Sequence, residues 1–264
     1  MPPKVSVVDP VLGPLTDDLL TRDFRVFQRR HGHRFSVDDV ATAFVAAREA
    51  PTADRILDLG CGLGSVLLHM AWTHPHATLV GIEAQEISFE LLGRNVARNA
   101  LDARVTVHHG DLRDPASVAK LGRDYPLITG TPPYFPPDAA LDAEDPQRAY
   151  ARIEYRGGVE AYMETAAPLL AEGGALVLCG DARAEHRVAA ALGDLGLRLH
   201  ARTTVIPREG REPLFAVWTL RGCSSAGAQP PDVEASTLTL RDAEGRTAEG
   251  AQTLRAFSGF PPTR

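Results

Sequence analysis

The stretch Arg55-Ile56-Leu57-Asp58-Leu59-Gly60-Cys61-Gly62-Leu63-Gly64 reads as a buried strand running straight into a glycine-rich turn. The residues behind it, Ser65–Thr73, carry a helical pattern, so the turn opens a helix. Glycines are needed where a tight turn brings backbone N–H groups against a ligand with no Cβ in the way. The spacing is G-x-G-x-G, and an acid, Asp58, stands at the strand end two residues ahead of the first glycine.

Outward from this turn, short apolar runs alternate with longer helical patterns. Thr78–Glu83, Val105–His109, Tyr125–Gly130 and Ala175–Gly180 read as further buried strands. Ile87–Ala100, Val159–Leu170 and Ala184–Leu195 read as the helices between them. Such alternation predicts βαβ units and a parallel sheet. The last two runs, Leu199–Ile206 and Leu214–Leu220, are separated only by a short turn with Pro207 and Gly210, which predicts a hairpin and one reversed strand. The organisation expected is a leading segment with a cap helix over residues 1–50, a core over 51–222, and a linker with a C-terminal extension over 223–264. The leading segment has a polar, arginine-rich part at Asp17–Arg34 and a helix from Val37 to Arg48; the extension has a short strand at Thr237–Leu240 and one helix.

A chain of 264 residues with 44% hydrophobic content is ordinary for one large α/β domain. No run approaches the roughly 18 apolar residues of a membrane-spanning helix, and the first residues lack the layout of a secretory signal. The three cysteines, Cys61, Cys179 and Cys223, lie far apart with no CxxC pair, which fits a reducing cytoplasm and neither a disulfide framework nor a zinc site. The histidines have no metal-ligand company, so no metal is expected. The net charge of −6 counts mildly against a nucleic-acid substrate.

Two further acids join the turn. Glu83 ends the second core strand, 25 residues beyond Asp58, where an acid can accept both ribose hydroxyls of a nucleoside. Asp111 follows the third strand within Gly110-Asp111-Leu112, placed for the exocyclic amine of an adenine. Ligands of open α/β sheets sit beyond the carboxyl ends of the strands, so the three features converge on one crevice. After the fourth strand, on the same side, comes Gly130-Thr131-Pro132-Pro133-Tyr134-Phe135. Its successive prolines stiffen the loop, and a rigid Tyr-Phe end can stack on a planar group.

Together these features resemble the cofactor motifs of the class I S-adenosylmethionine-dependent methyltransferases. The resemblance implies a Rossmann-like α/β fold: a seven-stranded sheet, mostly parallel with one antiparallel strand, with helices on both faces. It implies that Asp58 and Gly60, Cys61, Gly62 and Gly64 hold the methionine part of S-adenosyl-L-methionine, Glu83 its ribose, and Asp111 and Leu112 its adenine. A nicotinamide-binding Rossmann enzyme is the alternative. Glu83 does not separate the two, whereas the glycine spacing and the Pro-Pro-Tyr loop favour the methyl donor.

The loop is similar to the (Asn/Asp/Ser)-Pro-Pro-Tyr motif of methyltransferases acting on planar amides and nucleobases. The resemblance makes Thr131, Pro132, Pro133 and Tyr134 the catalytic loop, in which the first side chain and the following carbonyl accept hydrogens from the target amine while the tyrosine stacks. Thr131 departs from the pattern, since a hydroxyl is shorter than an amide or carboxylate and is also a donor. Gln28…Gly32-His33-Arg34-Phe35-Ser36-Val37-Asp38 and Gln147-Arg148-Ala149-Tyr150-Ala151-Arg152-Ile153-Glu154 resemble segments of the tRNA (adenine-N6)-methyltransferases that modify the base beside the anticodon of a valine tRNA. Phe35 and Asp38 then contact the cofactor; on the residues alone, Ser36 and Asp39 also form a helix capping box. Arg30, Arg34, Arg148, Arg152 and Phe135 become candidates for holding tRNA, either as phosphate and base contacts or, for the arginines, as a solvated face. Arg152 and Glu154 can equally pair with each other or with neighbouring elements. The function expected is N-methylation of an adenine in tRNA. Methylation of a small molecule or protein amide, or cofactor binding without catalysis, are the alternatives.

Overall fold

The computed structural model describes residues 7–9, 11–137, 145–223 and 232–263. The chain begins with three short antiparallel strands, β1 (Val7–Asp9), β2 (Gly13–Leu19) and β3 (Arg25–Arg29), which form a small sheet of their own. Helix α1 (Val37–Glu49) leads into β4 (Arg55–Leu59), α2 (Ser65–Thr73), β5 (Thr78–Glu83), α3 (Glu86–Arg98) and β6 (Val105–His109). A short α4 (Pro115–Val118), β7 (Tyr125–Gly130), α5 (Pro146–Arg152), α6 (Val159–Ala166), β8 (Leu170–Gly180) and α7 (Glu185–Leu192) follow. The chain ends with β9 (Leu197–Ile206), β10 (Phe215–Gly222), β11 (Glu234–Thr239) and α8 (Glu249–Phe257).

The main sheet has the order β11-β9-β10-β8-β7-β4-β5-β6. Strand β10 runs antiparallel to both β8 and β9, and every other pairing in this sheet is parallel. The single reversed strand therefore stands as the sequence predicts. The strand count does not: there are eight strands instead of seven, because the tail returns to lay β11 in parallel register along β9, from Glu234 opposite Ala201 to Thr239 opposite Ile206. Without β11, the N–H and C=O groups on that side of β9 would face solvent, and open edges of this kind are usually covered. The small-residue linker expected after Cys223 falls almost wholly outside the described residues.

Both faces of the sheet are buried, as parallel strands require. Ile56, Leu127 and Val177 point into one core cluster with α1, α2 and α3, whereas Leu57, Ile128 and Leu178 point into the other with α6 and α7. This period-2 division explains why the core strands read as continuous apolar runs.

The small β1–β3 sheet is absent from the sequence expectation, which read Asp17–Arg34 only as polar. Its charged side chains are satisfied by ion pairs, Arg25 with Asp17 at 2.9 Å inside the sheet and Asp18 with Arg34 beyond it at 2.8 Å, so no apolar alternation marks the strands. The outer edge of β3 is closed by Asn95 of α3 and by Asn99, which caps the helix's C-terminus. Asn95 accepts from the Phe27 N–H at 2.7 Å and donates to the Phe27 carbonyl at 3.1 Å, and Asn99 does the same at Arg25. Being four residues apart they share one helix face, and their amides replace a fourth strand.

Candidate functional site

The turn after β4 is built from three left-handed glycines, with φ of +60° at Gly60, +56° at Gly62 and +97° at Gly64. A Cβ at Gly60 would meet the Tyr162 hydroxyl and one at Gly64 would meet Leu92, whereas at Gly62 nothing lies within 4 Å. Gly60 and Gly64 are thus glycines for packing, and Gly62 borders open space. The Gly62 N–H donates to Glu83 at 2.8 Å, and Asn95 donates to the Leu63 carbonyl at 2.8 Å. The turn is braced from β5 and from α3.

A hollow opens above it, lined by Gly60, Cys61, Gly62, Glu83, Asp111 and Leu112, together with Asp39, Tyr150, Arg156 and Tyr162. The resemblance thus brings together the residues of three strand ends. Asp58 does not line the hollow. It is 1% exposed, takes a hydrogen bond from Thr129 at 2.7 Å, and its Oδ2 has no hydrogen-bond partner among the described residues. Asp111 is held by the Arg113 guanidinium at 2.8 Å, which keeps its carboxyl below the usual range.

The acids around the turn are poorly compensated. Burial, with the neighbouring charge of Asp38 next, pushes the Asp39 carboxyl up to about 8. Burial also pushes Asp58 up to about 7 and raises Glu83, against the hydrogen bonds that each accepts. These hydrogen bonds offset the burial of the carboxylates only in part, and buried charge is costly, so this ring of acids favours a cationic guest. S-Adenosyl-L-methionine carries a sulfonium and an ammonium, and the cradle at Gly62, the unpartnered Asp58 oxygen and the acid ring fit it. Asp39 is the site residue that the sequence reading missed. It appears there only as half of a capping box, and its carboxylate does accept the Ser36 N–H at 2.9 Å.

A second, wider groove of about 1570 Å³ adjoins the first, and His33, Asp39, Thr131, Pro133 and Ala151 line both. Thr131 and Pro133 therefore stand on the boundary, with Pro132, Tyr134 and Phe135 on the outer side. The Tyr134 hydroxyl donates to Asp38 at the start of α1 and lies 3.7 Å from Cys179 Sγ. Phe135 donates its N–H to the Arg152 carbonyl at 3.0 Å, and its own carbonyl accepts from Glu154 at 2.9 Å. The loop is anchored at both ends. Phe35 and Asp38 line the outer groove rather than the inner hollow, Phe35 with its N–H on Gln28 at 2.9 Å.

Most arginines of the leading segment are already engaged: Arg22 with Asp23, Arg25 with Asp17, Arg29 with Asp145 and Arg34 with Asp18. Arg30, Arg148 and Arg152 line the groove, and the ion pairs found among the described residues do not include them. Of the pairings left open for Arg152 and Glu154, the one with a neighbouring element forms, at Glu154. Glu154 is held by Arg187 at 2.7 Å, and the Arg152 guanidinium lies 5.6 Å from the centre of the Phe135 ring. Among the described residues, no cluster of three or more His, Cys, Asp or Glu is arranged to hold a metal, and no helix is long and apolar enough to cross a membrane.

Residues 30–140 match the methyltransferase small domain family. A tRNA1(Val) (adenine(37)-N6)-methyltransferase of Porphyromonas gingivalis is 27% identical over 235 residues, covering 87% of this chain and 90% of that protein. A ribosomal protein uL3 glutamine methyltransferase of Bradyrhizobium diazoefficiens is 34% identical over 111 residues, which is 42% of this chain but only 34% of that protein's length. Among solved structures, a predicted O-methyltransferase from Agrobacterium tumefaciens superposes with a TM-score of 0.62 at 19% identity, covering 85% of this chain and 98% of its own.

Proposed function

We propose that this chain, which belongs to the class I S-adenosylmethionine-dependent methyltransferases, methylates the exocyclic N6 of an adenine in tRNA. The observation that carries the acceptor is the position of Thr131 and Pro133 on the boundary between the acid-ringed hollow and the arginine-lined groove. A groove of about 1570 Å³ exceeds the roughly 300–1,000 Å³ of small-molecule sites, which supports an acceptor carried on a macromolecule. The relative from Porphyromonas gingivalis, similar over most of both chains, is named for tRNA adenine-N6 methylation.

When bound, S-adenosyl-L-methionine supplies an electrophilic methyl group on a sulfonium. The residues of this chain orient what surrounds it. Asp39, Asp58 and Glu83 offset the positive charge, and Gly62 leaves room for close approach of the backbone. Asp111 and Leu112 border the adenine. On the acceptor side, the Thr131 hydroxyl and the Pro132 carbonyl accept the N6 hydrogens. This turns the amine lone pair out of conjugation with the ring. Tyr134 fixes the plane of the base, its hydroxyl fastened to Asp38. An adenine inside a helix cannot reach this position, so the target is unpaired or flipped out of its stack. Arg30, Arg148 and Arg152 hold the phosphates around it.

A planar protein amide is the second reading, supported by the likeness to the uL3 glutamine methyltransferase over 111 residues. The test is incubation with methyl-labelled cofactor and bulk tRNA beside ribosomal protein, followed by nuclease or protease digestion. Labelled N6-methyladenosine in the tRNA digest is expected. Label confined to methylglutamine would replace the first reading with the second.

A further inference from the structure

Phe, Tyr and Trp side chains are buried or half-buried throughout the described residues except at three positions. Phe135 is 40% exposed, Tyr150 42% and Tyr155 43%. All three lie on one short stretch of structure, because Phe135 is hydrogen-bonded to Arg152, which ends α5, and to Glu154 just beyond it. Chance exposure would scatter them over the surface.

Their neighbours are cationic. The Arg152 guanidinium lies 5.6 Å from the Phe135 ring centre and the Arg156 guanidinium 4.7 Å from that of Tyr150. The Tyr150 and Tyr155 rings meet edge to face at 5.5 Å. The ion pairs among the described residues leave Arg148, Arg152 and Arg156 out, whereas the arginines of the leading segment are mostly paired with aspartates. Flat rings alternating with guanidinium groups outside these ion pairs, of which Arg156 also faces the Glu83 and Asp111 carboxylates across the hollow, suit a polyanion with planar bases. An acidic peptide would need the charges but not the rings, and an apolar partner the rings but not the charges. The strip also begins at the reaction site, since Tyr150 and Arg156 border the inner hollow and Phe135 the outer groove.

We propose that Phe135, Tyr150 and Tyr155, with Arg152 and Arg156 between them, form a stacking platform for unpaired RNA bases flanking the methylated adenine. The occupant rests on the tRNA reading above. Stacking on aromatic and guanidinium planes is sequence-tolerant and selects single strands over duplex. The platform therefore favours loop over stem, and the inner pocket reads the target base.

The test is fluorescence anisotropy of the full chain, without cofactor, on a labelled single-stranded oligoadenylate of about 10 nucleotides and on the same sequence in a duplex. Wild type is expected to prefer the single strand. Tyr150→Ala and Tyr155→Ala each weaken it about tenfold; Arg156→Ala weakens it and lowers the salt slope by about 0.7. Val11→Ala, at another exposed apolar residue, changes nothing. Equal binding of duplex and single strand, tyrosine variants that bind like wild type, or no binding by wild type overturns the platform. Tyrosine-dependent binding without methylation of tRNA leaves the platform standing and removes the tRNA reading; methylated tRNA with tyrosine variants that bind like wild type does the reverse.

Discussion

At the scale of single residues, the site is defined by charge that the protein does not compensate. Asp58 and Asp39 favour their protonated forms in the native state, at about 7 and about 8, because burial removes water from the carboxylates. In the unfolded chain they titrate near 4. Their contribution to stability is complete below pH 4 and is lost as pH rises through the folded values, by about 1.4 kcal/mol per pH unit for each group inside the window. The ligand-free protein is therefore expected to lose stability between pH 5 and pH 8, and Asp58→Asn to flatten that loss, as read by denaturant titration. Cofactor affinity runs the other way, since a cationic guest needs ionised acids: calorimetry should find it weaker at pH 6 than at pH 8 and weaker in Asp58→Asn. A pH-independent affinity would remove the acid ring from the account.

The glycines of the turn separate packing from binding at the same scale. Gly60→Ala drives a Cβ into the buried Tyr162 hydroxyl at φ +60° and is expected to cost about 3 kcal/mol or more in unfolding. Gly62→Ala meets no protein atom, so its stability cost is only the about 1–2 kcal/mol of a left-handed alanine. Its larger effect is expected on cofactor affinity. Equal stability losses in the two variants would contradict this division.

At the scale of elements, the Pro-Pro-Tyr loop is held by its neighbours as much as by its prolines. Tyr134 is tied to α1 through Asp38, and Phe135 to the chain after α5. Tyr134→Ala removes both the ring and the tie and is expected to lower single-turnover methylation of tRNA about 100-fold, the order of loss that misplacement by about 1 Å causes. Tyr134→Phe keeps the ring and should fall between this and wild type. If the two variants were equally slow, the hydroxyl tie and not the stacked ring would be the working feature.

The elements that were legible in the sequence are those whose burial is dictated by their own residues. Strand β4 and helix α2 occur at Arg55–Leu59 and Ser65–Thr73, where the apolar run and the glycine turn put them. Strands β2 and β3 were not legible, because their charged side chains pair across the strands and β3 borrows its edge partners from Asn95 and Asn99. In the site, Glu83, Asp111 and the loop stood out by position after strands. Asp39 did not, because what makes it a site residue is the company of Asp58 and the turn, which come from a separate stretch of chain.

At the scale of the molecule, the C-terminal tail is integral to the fold. Strand β11 covers β9, and α8 lies against α1 and α2, with Phe257 edge-on to Phe44 at 5.6 Å and stacked on His69 at 5.7 Å. The Arg22 N–H reaches the Ser258 carbonyl at 2.8 Å, so the tail also joins the leading segment. Leu254 is buried in the same core cluster as α1 and α2. Leu254→Ala is expected to cost about 2–4 kcal/mol in chemical denaturation, and a chain ending at Gly222 to unfold at markedly lower temperature than the full chain. A truncated chain with unchanged melting would make the tail an appendage.

The sequence by itself determined the α/β alternation and the reversed strand, and it pointed to the strand ends where Glu83 and Asp111 share one hollow with the glycine turn, because local period, turn chemistry and the rule that ligands gather at strand ends all act within short windows. Only the tertiary structure decided the eighth strand, the engagement of most leading-segment arginines with aspartates, the place of Asp39 and the gathering of Phe135, Tyr150 and Tyr155. Each of these depends on which distant side chains share a low-dielectric space or a single edge, and no spacing along the chain encodes that.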